Sequence, residues 1–466
     1  METILKKYLP TFDGDIVSMA DARYLQEPRG RYFASAMPVF RPRSTAQVSQ
    51  IVQFCNQHKI GIVPYGGGTG LVGGQVRVTD DETIILSLER MNAIQNANAD
   101  ENAITVQAGA ILQNIQQAAD QLDRLFPLSL ASQGSCQIGG NLSTNAGGVQ
   151  VLRYGNTRDL CLGIEAVLPD GTIYNGLHSL RKDNTGYDIR HLLIGAEGTL
   201  GIITAACLKL FPKPTQKATA MLVVPDPNAA ITLLSTLNTV LGGAITAFEL
   251  IHAQGLQFLA EKLPHVRQPF QEIPMWSVLV EVSGGDGADL TQALTDALAT
   301  KFDDGLVLDA VLAQSVAQAQ AIWDVRENIP EANRMVGAIS SQDISIPISR
   351  IPDFIAKTPA LLAHLGALQI NCFGHLGDGN LHYNVYPPTG KNRDDFVSQR
   401  DEIATIIHDQ THAFGGSISA EHGIGRMKRD DLLRYGDAGK IAAMRAVKAA
   451  LDPNNIMNPD AVIAQN

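Results

Sequence analysis

Two short segments in the C-terminal half of this 466-residue chain have the residue types of a metal centre. One holds His375 and His382, seven positions apart, and the other holds the adjacent pair Glu421 and His422. Strand alternation alone would put the first two histidines on opposite faces, but the Gly-Asp-Gly sequence between them predicts a turn that could return both to one point. Two imidazoles and a carboxylate suit Zn²⁺, with Mn²⁺ or Fe²⁺ as alternatives, and leave positions open for water or substrate. The competing interpretation is that both histidines are ordinary core or turn residues.

The glycine-rich segment Gly66–Gly74 in the N-terminal half has three possible explanations. Its glycines fit the dinucleotide fingerprint G-x-G-x-x-G, which needs a helix to open at the third glycine, but Gln75–Thr79 alternates like a strand. A Walker A loop is excluded because no Lys-Ser/Thr pair follows the glycines. What remains is a run of backbone N–H groups that cradles a diphosphate, with an ordinary glycine-rich turn as the alternative.

Two further segments, 132–148 and 195–203, are rich in glycine and in short polar side chains. Such side chains can hydrogen-bond the edges of a large polar heterocycle. Together with Gly66–Gly74 they predict a long, extended ligand.

The elements that must position these segments follow from the spacing of apolar residues. Helical spacing after a cap at Ser44 or Thr45 predicts a helix that ends near His58, and Ile60–Val63 then predicts a buried strand that leads into the first glycine loop. The other strands predicted in this half are Thr83–Leu88, Ala103–Gly109, Ile164–Leu168 and Thr172–Tyr174, with a helix after Ala103–Gly109.

Residues 218–415 alternate predicted strands and helices, which indicates an α+β domain on an antiparallel sheet. Clustered prolines place the preceding boundary near Lys217, and two more helices are predicted in the tail. The strands predicted in this domain are Thr219–Val224, Trp276–Val282, Gln369–Cys372 and Leu381–Val385, and the helices are Ala229–Val240, Asp289–Thr300 and Val316–Arg326.

Composition limits the functional classes. A formal charge of −11 argues against non-specific nucleic-acid binding. The five cysteines form no CxxC pair, which is typical of reduced cysteines in a cytoplasmic protein. Residues 1–10 have no apolar run long enough for a signal peptide, and no stretch reaches the ~18 apolar residues of a membrane span.

Residues 36–217 resemble the vanillyl-alcohol-oxidase type, or PCMH-type, FAD-binding domain in all three glycine segments and in Arg153-Tyr154-Gly155. The resemblance implies FAD, bound without a covalent link because Tyr65 precedes the first glycines. In that family the first loop and Gly139-Gly140 bind the diphosphate, and the later segments lie along the flavin. The implied cofactor-binding residues are Gly66, Gly67, Gly68, Thr69, Gly70, Leu71, Gly74, Pro127, Gly134, Ser135, Ile138, Gly139, Gly140, Asn141, Thr144, Asn145, Gly147, Gly148, Glu197, Gly201, Ile202 and Asn458.

The C-terminal half resembles the FAD-linked oxidase C-terminal domain of D-lactate and D-2-hydroxyglutarate dehydrogenases. The signatures Gly-His-x-Gly-Asp-Gly-Asn-x-His and Glu-His-Gly-Ile-Gly are both intact. The resemblance implies that His375, His382 and Glu421 bind zinc, that His422 is the catalytic base, and that Asn384 and Arg326 bind the substrate. An Arg in a surface ion pair is the alternative for Arg326.

These resemblances predict an FAD- and metal-dependent dehydrogenase that oxidises a small D-2-hydroxy acid to the 2-oxo acid. Hydride passes to flavin N5, and electrons leave to an electron-transfer flavoprotein or a quinone. In 2-hydroxyglutarate-type members a hydroxyl residue and a Lys stand where this chain has Pro330 and Ser341, so a lactate-like substrate is favoured over 2-hydroxyglutarate. A zinc hydrolase and a non-catalytic flavoprotein subunit of an oxidase complex are the alternatives.

The expected architecture is α+β, with a PCMH-type domain of two α+β subdomains and an antiparallel-sheet substrate (cap) domain. C-terminal helices are expected to return to the flavin. The predicted divisions are residues 1–35 as an extension, 36–217 for FAD, 218–415 for substrate and 416–466 completing the active site. A homodimer is common in the family.

Overall fold

The computed structural model describes residues 7–8, 10–34, 36–79, 81–287 and 289–463. The predicted extension, residues 1–35, and the predicted final segment, residues 416–466, therefore each lie partly outside the described residues, as do residues 1–10. The chain divides into two compact units. The first unit comprises the chain up to Gly147, Gly155–Lys213 and the chain from Glu421, and the second comprises Gly148–Tyr154 and Pro214–Ala420.

The strands are short in the first unit and longer in the second. In chain order they are β1 (Val17–Met19), β2 (Pro38–Phe40), β3 (Gly61–Tyr65), β4 (Thr83–Ser87), β5 (Ile94–Asn98), β6 (Ala103–Gln107), β7 (Arg124–Leu125), β8 (Cys161–Val167), β9 (Ile173–Asn175), β10 (Ile202–Lys209), β11 (Phe211–Pro212), β12 (Gln216–Val224), β13 (Ile245–His252), β14 (Trp276–Gly284), β15 (Asp309–Leu312), β16 (Ser340–Ser345), β17 (Gln369–His375) and β18 (Asn380–Tyr386).

The α-helices range from single turns to one long helix in the second unit. They are α1 (Ala22–Leu25), α2 (Thr45–His58), α3 (Leu112–Asp120), α4 (Ile138–Thr144), α5 (Val151–Tyr154), α6 (Ile189–Leu193), α7 (Pro227–Leu241), α8 (Ala253–Lys262), α9 (Leu290–Asp303), α10 (Val316–Val336), α11 (Ile351–Leu362), α12 (Arg400–Ala413), α13 (Arg429–Tyr435) and α14 (Ala438–Leu451).

Two sheets form the scaffold of the first unit. One has the order β1-β2-β4-β3, with β2, β4 and β3 parallel, and the other is antiparallel in the order β5-β6-β10-β8-β9. The helix α2 begins where Ser44 Oγ accepts from the Gln47 N–H, and it ends at Lys59 in the left-handed conformation. Every residue of β4 is buried, and β4 pairs with β3 in parallel. The backbone is therefore held in place just before Gly66.

A seven-stranded antiparallel sheet forms the second unit, in the order β15-β12-β14-β13-β17-β18-β16. Helices cover both of its faces. Val280 of β14 packs with Leu294 of α9 on one face. Leu279 packs on the other face with Leu256 of α8 and Val325 of α10. Residues of β14 are buried on both faces of the sheet, which explains why its segment 278–280 is apolar without alternation.

The predicted α+β class with an antiparallel C-terminal sheet is confirmed. The helices α13 and α14 belong to the first unit. The five cysteines are buried and have free thiols, as expected for packing residues. Among the described residues, no helix combines the length and the apolar character that crossing a membrane requires.

One predicted strand is wrong. Gln75–Thr79 alternates in hydropathy but is not a strand. Gln75 instead turns its side-chain amide back onto the loop before it and donates to Gly70 O at 2.7 Å. The dinucleotide fingerprint still fails, because no helix opens there either.

The helix predicted to end at Arg326 continues to Val336. Pro330 lies inside it and removes the helical hydrogen bond to the Arg326 carbonyl. The helix persists because Ile329 and Ala332 are buried on its packed side, while Pro330 is exposed. Tertiary packing therefore outweighs the local cost of the proline.

Candidate active site

An open cleft lies in the first unit, with about 950 Å³ of space that is continuous with solvent. Three segments line most of it: the loop after β3, the helix α4 with the residues just before it, and the loop that leads into β10. Each segment follows or precedes a buried element. The cleft therefore has a rigid frame and a lining made largely of backbone and small side chains.

Side chains hold several carbonyl groups of the loop Gly66–Gly74. Gln75 Nε2 donates to Gly70 O at 2.7 Å, and Gly74 O accepts from Arg426 Nη1 at 2.8 Å and from Asn458 Nδ2 at 3.1 Å. Within the described part of the chain, the N–H groups of residues 67–70 donate to no backbone carbonyl. A loop with several occupied carbonyl groups and available N–H groups suits an anion.

Close backbone approach explains two of the glycines. A Cβ on Gly67 would lie 2.1 Å from Ser135 O, and a Cβ on Gly139 would lie 2.7 Å from the Ala108 side chain. Neither neighbour is the flexible end of a long side chain. The first loop and α4 can therefore border one cleft only with glycine at these positions.

Glu197 anchors the segment that bears His422. Its carboxylate accepts from the N–H of Ile424 at 2.7 Å and from that of Gly425 at 2.8 Å. Burial raises the pKa of Glu197, and these two hydrogen bonds oppose the rise. Glu197 O accepts from Asn458 Nδ2 at 2.8 Å. His422 lines the cleft next to this anchor.

In the second unit, polar side chains form one face across the neighbouring strands β17, β18 and β16. The chain turns after His375 through a 3₁₀ turn and enters β18 at Asn380. His382 pairs with Phe373, and the rings of His375 and His382 lie 5.5 Å apart. The turn has thus brought the two histidines to the same face. Their neighbours on that face, called the polar face below, are Asn371, Asn384, Ser341 and Asp343.

Glu249 of β13 joins this face to α10. Its two carboxylate oxygens lie 2.6 Å from His375 Nδ1 and 2.7 Å from Arg326 Nε. The guanidinium of Arg326 lies over the ring of Phe373, at 4.9 Å. Burial raises the pKa of Glu249, but its electrostatic interactions and hydrogen bonds with His375 and Arg326 outweigh burial and lower the pKa to about 2. Glu249 is therefore a carboxylate at neutral pH.

The sequence matches two families: the FAD linked oxidases, C-terminal domain, over residues 213–462, and the FAD binding domain, over residues 37–176. The first match alone covers more than half of the chain. The chain belongs to the family of FAD-linked oxidases. The predicted family, the FAD cofactor and the enzyme class, an FAD-linked oxidoreductase, are confirmed.

Relatives of this FAD-linked oxidase match along nearly its whole length. A D-2-hydroxyglutarate dehydrogenase of Xanthomonas citri pv. viticola is 38% identical, over 92% of this chain and 89% of the relative. A mitochondrial D-2-hydroxyglutarate dehydrogenase of Danio rerio is 37% identical, over 97% and 83%.

Solved structures share the fold at low sequence identity. Substrate-bound p-cresol methylhydroxylase has a TM-score of 0.79 at 16% identity, over 99% of this chain and 97% of its own. Alkyldihydroxyacetonephosphate synthase has a TM-score of 0.72 at 17% identity, over 98% and 84%. At this identity the likeness supports the fold alone.

The cleft of the FAD-linked oxidase fits a polar cofactor. Gln137 Oε1 and Asn141 Oδ1 line it and are buried, and neither accepts a hydrogen bond from any described residue. Buried polar atoms without partners are costly, so their presence indicates that a ligand satisfies them. FAD offers a diphosphate for the available loop N–H groups and polar ring edges for these oxygens.

The donor set of the polar face fits a divalent cation. Because a carboxylate can only accept, His375 must donate its Nδ1–H to Glu249, which leaves Nε2 with its lone pair. His382 Nδ1 lies 3.8 Å from Asp343 Oδ1. Histidines that bind metals commonly have carboxylates at their other nitrogen. Glu421, the predicted third ligand, belongs to the first unit, where a Cβ on Gly147 would lie 2.7 Å from Glu421 Oε1.

The cleft contains most of the predicted cofactor residues. Those that line it are Gly66, Gly67, Gly68, Thr69, Gly70, Gly74, Gly139, Gly140, Asn141, Thr144, Glu197, Gly201, Ile202 and Asn458. Eight others do not: Leu71, Pro127, Gly134, Ser135, Ile138, Asn145, Gly147 and Gly148. Asn145 ends α4 in the left-handed conformation and accepts from the Arg158 N–H, Ile138 is core, and Gly148 belongs to the second unit.

Several functional candidates were missed from the sequence. Gln137, inside the segment 132–148, and Ala108, which follows β6, line the cleft but were not named as cofactor residues. Glu249 had a clearer signal, because it is a single acid inside the apolar strand ITAFELIH. A buried acid in such a strand needs partners, and here these are two of the predicted site residues.

Gly140→Ala is expected to weaken FAD binding at least about tenfold without destabilising the apoprotein. A Cβ at Gly140 meets no protein atom within 4 Å, so it would enter the cleft. Alanine also favours a helix such as α4 by about 1 kcal/mol over glycine. Fluorescence titration of apoprotein with FAD and thermal unfolding of the apoprotein measure the two effects.

Gly285→Ala is the matched control, because a Cβ there also meets nothing within 4 Å but Gly285 does not line the cleft. It should leave FAD affinity unchanged. Wild-type FAD affinity in Gly140→Ala would contradict the assignment of Gly140 to the cofactor.

Proposed function

We propose that this FAD-linked oxidase oxidises a D-2-hydroxy acid to the 2-oxo acid, with D-2-hydroxyglutarate as the first candidate substrate. The observation that carries the proposal is that Glu249 links His375 of the polar face to Arg326, whose Nη groups remain available as hydrogen-bond donors. Among the described residues, Arg326 donates a hydrogen bond only through Nε, to Glu249. Its two terminal Nη groups suit a substrate carboxylate in bidentate geometry.

The residue roles follow from this arrangement. Arg326 and Asn384 bind the carboxylate, and His375 and His382 supply two imidazoles to a divalent cation, for which zinc is proposed. The sequence pattern assigns Glu421 as the carboxylate of that set. Such a cation, when bound, polarises the hydroxyl group as a Lewis acid.

His422 takes the proton of the substrate hydroxyl in this proposal. Its position in the cleft that fits FAD supports the role, because the base must lie near the carbon that loses its hydride. The flavin supplies the hydride acceptor. Glu197 holds the segment that bears His422 through Ile424 and Gly425.

The substrate choice differs from the lactate-like acid that the sequence favours. Relatives named D-2-hydroxyglutarate dehydrogenases match over more than nine tenths of this chain, which supports the dicarboxylic acid. A smaller 2-hydroxy acid is the second candidate, because Ser341 lies directly opposite Asn384 in the ladder between β16 and β18. The short hydroxyl side chain of Ser341 provides no positive charge to bind the distal carboxylate of 2-hydroxyglutarate.

Anaerobic flavin bleaching with a panel of D- and L-2-hydroxy acids tests the proposal. D-2-hydroxyglutarate is expected to reduce the flavin, and the L-enantiomers are not. Reduction by D-lactate with none by D-2-hydroxyglutarate would select the second candidate. No bleaching by any 2-hydroxy acid, with FAD bound, would contradict the proposed reaction.

Ser341→Lys sharpens the same panel. An ammonium beside Asn384 should lower the KM for D-2-hydroxyglutarate relative to D-lactate by roughly tenfold, the effect of one charged hydrogen bond. Ser341→Met is the control, because methionine has a side chain of similar length to lysine but no charge. The neighbouring position 340 is unsuitable because Ser340 is buried. Equal effects of Lys and Met would show that charge at this position does not select the substrate.

Several finer properties complete the proposal. Electrons pass to an electron-transfer flavoprotein or a quinone, the FAD is non-covalent, the chain forms a homodimer, and the location is cytoplasmic. Oxygen from solvent in the product without flavin reduction would favour the zinc hydrolase alternative. Flavin bleaching by a hydroxy acid would exclude both that alternative and a non-catalytic flavoprotein subunit.

A further inference from the structure

Glu249 is a fully buried acid in an apolar strand. It is 0% exposed, and its neighbours in β13, Phe248 and Leu250, belong to the core on the opposite face of the sheet. An unpaired carboxylate at such a depth would cost several kcal/mol. Its partners therefore determine whether the strand can hold it.

The two partners are His375 and Arg326, and each takes one carboxylate oxygen. They come from separate elements, β17 and α10, and Glu249 is 126 positions from His375 and 77 from Arg326. We propose that Glu249 is a positioning residue that fixes the tautomer of His375 for metal binding and the orientation of Arg326 for substrate binding. This inference rests on the proposed function of those two residues.

The effect on His375 follows from donor and acceptor roles. A neutral imidazole carries one proton, and the Nδ1 contact with a carboxylate places that proton on Nδ1. Nε2 then keeps its lone pair, which is the form that ligates a metal. The negative charge of Glu249 also makes the imidazole a stronger ligand.

The effect on Arg326 is geometric. Its Nε is held by Glu249 at 2.7 Å, and its guanidinium is held over the Phe373 ring. These two contacts fix the plane of the guanidinium and leave the edge with both Nη groups for a carboxylate. Without Glu249 the long side chain would regain several rotamers, and substrate binding would bear the entropic cost of ordering it.

Glu249→Gln tests both effects, because the amide keeps the shape but can accept through one atom only. Its NH₂ group would face either His375 or Arg326. If the NH₂ group faces His375 Nδ1, it favours the tautomer of His375 that carries its proton on Nε2. A protonated Nε2 cannot ligate a metal. Metal affinity is expected to fall about 10- to 100-fold, and the KM for the hydroxy acid to rise roughly tenfold or more. FAD content should stay at the wild-type level.

Zinc per subunit, measured by elemental analysis after dialysis against a competing chelator, reports the effect on His375, and the KM reports the effect on Arg326. Glu281→Gln is the matched control. Glu281 is a buried acid of the adjacent strand β14. Its carboxylate accepts a hydrogen bond from Trp323 Nε1 at 2.9 Å, and it contacts neither His375 nor Arg326. Equal losses in both variants, or wild-type zinc and KM in Glu249→Gln, would overturn the proposal.

The histidine tautomer can be measured in the wild-type protein, which keeps the proposal testable if Glu249→Gln does not fold. Long-range ¹H–¹⁵N correlation of the metal-free protein, with the signals of His375 identified by their loss in His375→Ala, should give a proton on Nδ1. A proton on Nε2 would overturn the inference. Absence of any metal from the wild-type protein would instead contradict the metal part of the proposed function, and the tautomer would still test Glu249.

Discussion

Replacement of His422 by Asn is expected to lower kcat for the hydroxy acid by about 10²- to 10⁴-fold, the usual contribution of a general base. Asparagine can hydrogen-bond the substrate hydroxyl but cannot accept its proton at neutral pH. The side chain lines the FAD cleft, so the loss should fall on flavin reduction and not on a later step. Single-turnover stopped-flow under anaerobic conditions measures that step directly.

FAD content is the first control, because the glycine loops form most of the cleft lining. His191→Asn is the second. His191 is an exposed residue of α6 in the first unit that does not line the cleft, and its replacement should leave flavin reduction unchanged. A reduction rate within a few-fold of wild type in His422→Asn, with FAD bound, would remove His422 from the role of base.

Local signals predicted much of the cleft. Clustered glycines usually have a structural reason. At Gly67 and Gly139 a neighbouring residue lies so close to the glycine backbone that any Cβ would clash with it. The helix α2 was predicted from its apolar spacing and from a cap at Ser44 or Thr45, of which Ser44 forms the cap, and both signals depend only on neighbouring residues. Features set by short-range geometry are therefore recoverable from sequence.

Long-range polar pairing was not predictable in the same way. The contact between Glu249 and His375 joins residues 126 positions apart, and no local sequence spacing predicts it. The strand β16, with the sequence SSQDIS, has the polar composition of a loop and becomes a strand because β18 offers it an edge to pair with. The extension of α10 past Pro330 has the same origin, since burial of the opposite helix side maintains it.

Replacement of Lys448 by Met is expected to destabilise the first unit by about 3–5 kcal/mol, the usual result of removing one partner from a buried ion pair. Lys448 is 2% exposed, and its Nζ donates to Thr199 O at 2.9 Å, to Met457 O at 2.8 Å and to Asp452. Burial lowers the pKa of Lys448, and Asp452 opposes this. All three ammonium protons are used, so methionine would leave two carbonyls and one carboxylate without their donor.

The consequence should reach the cofactor, because Thr199 lies between the cleft residues Glu197 and Ile202, and Met457 precedes Asn458. Urea unfolding of the apoprotein measures the stability, and FAD titration measures the loss of affinity. Asp452→Asn added to Lys448→Met removes the uncompensated charge and should recover part of the stability, although Ile456 and Met457 still donate their N–H groups to that position. A Lys448→Met protein whose free energy of unfolding lies within about 1 kcal/mol of wild type would contradict this prediction. A double variant less stable than the single variant would show that the uncompensated charge of Asp452 does not cause the destabilisation.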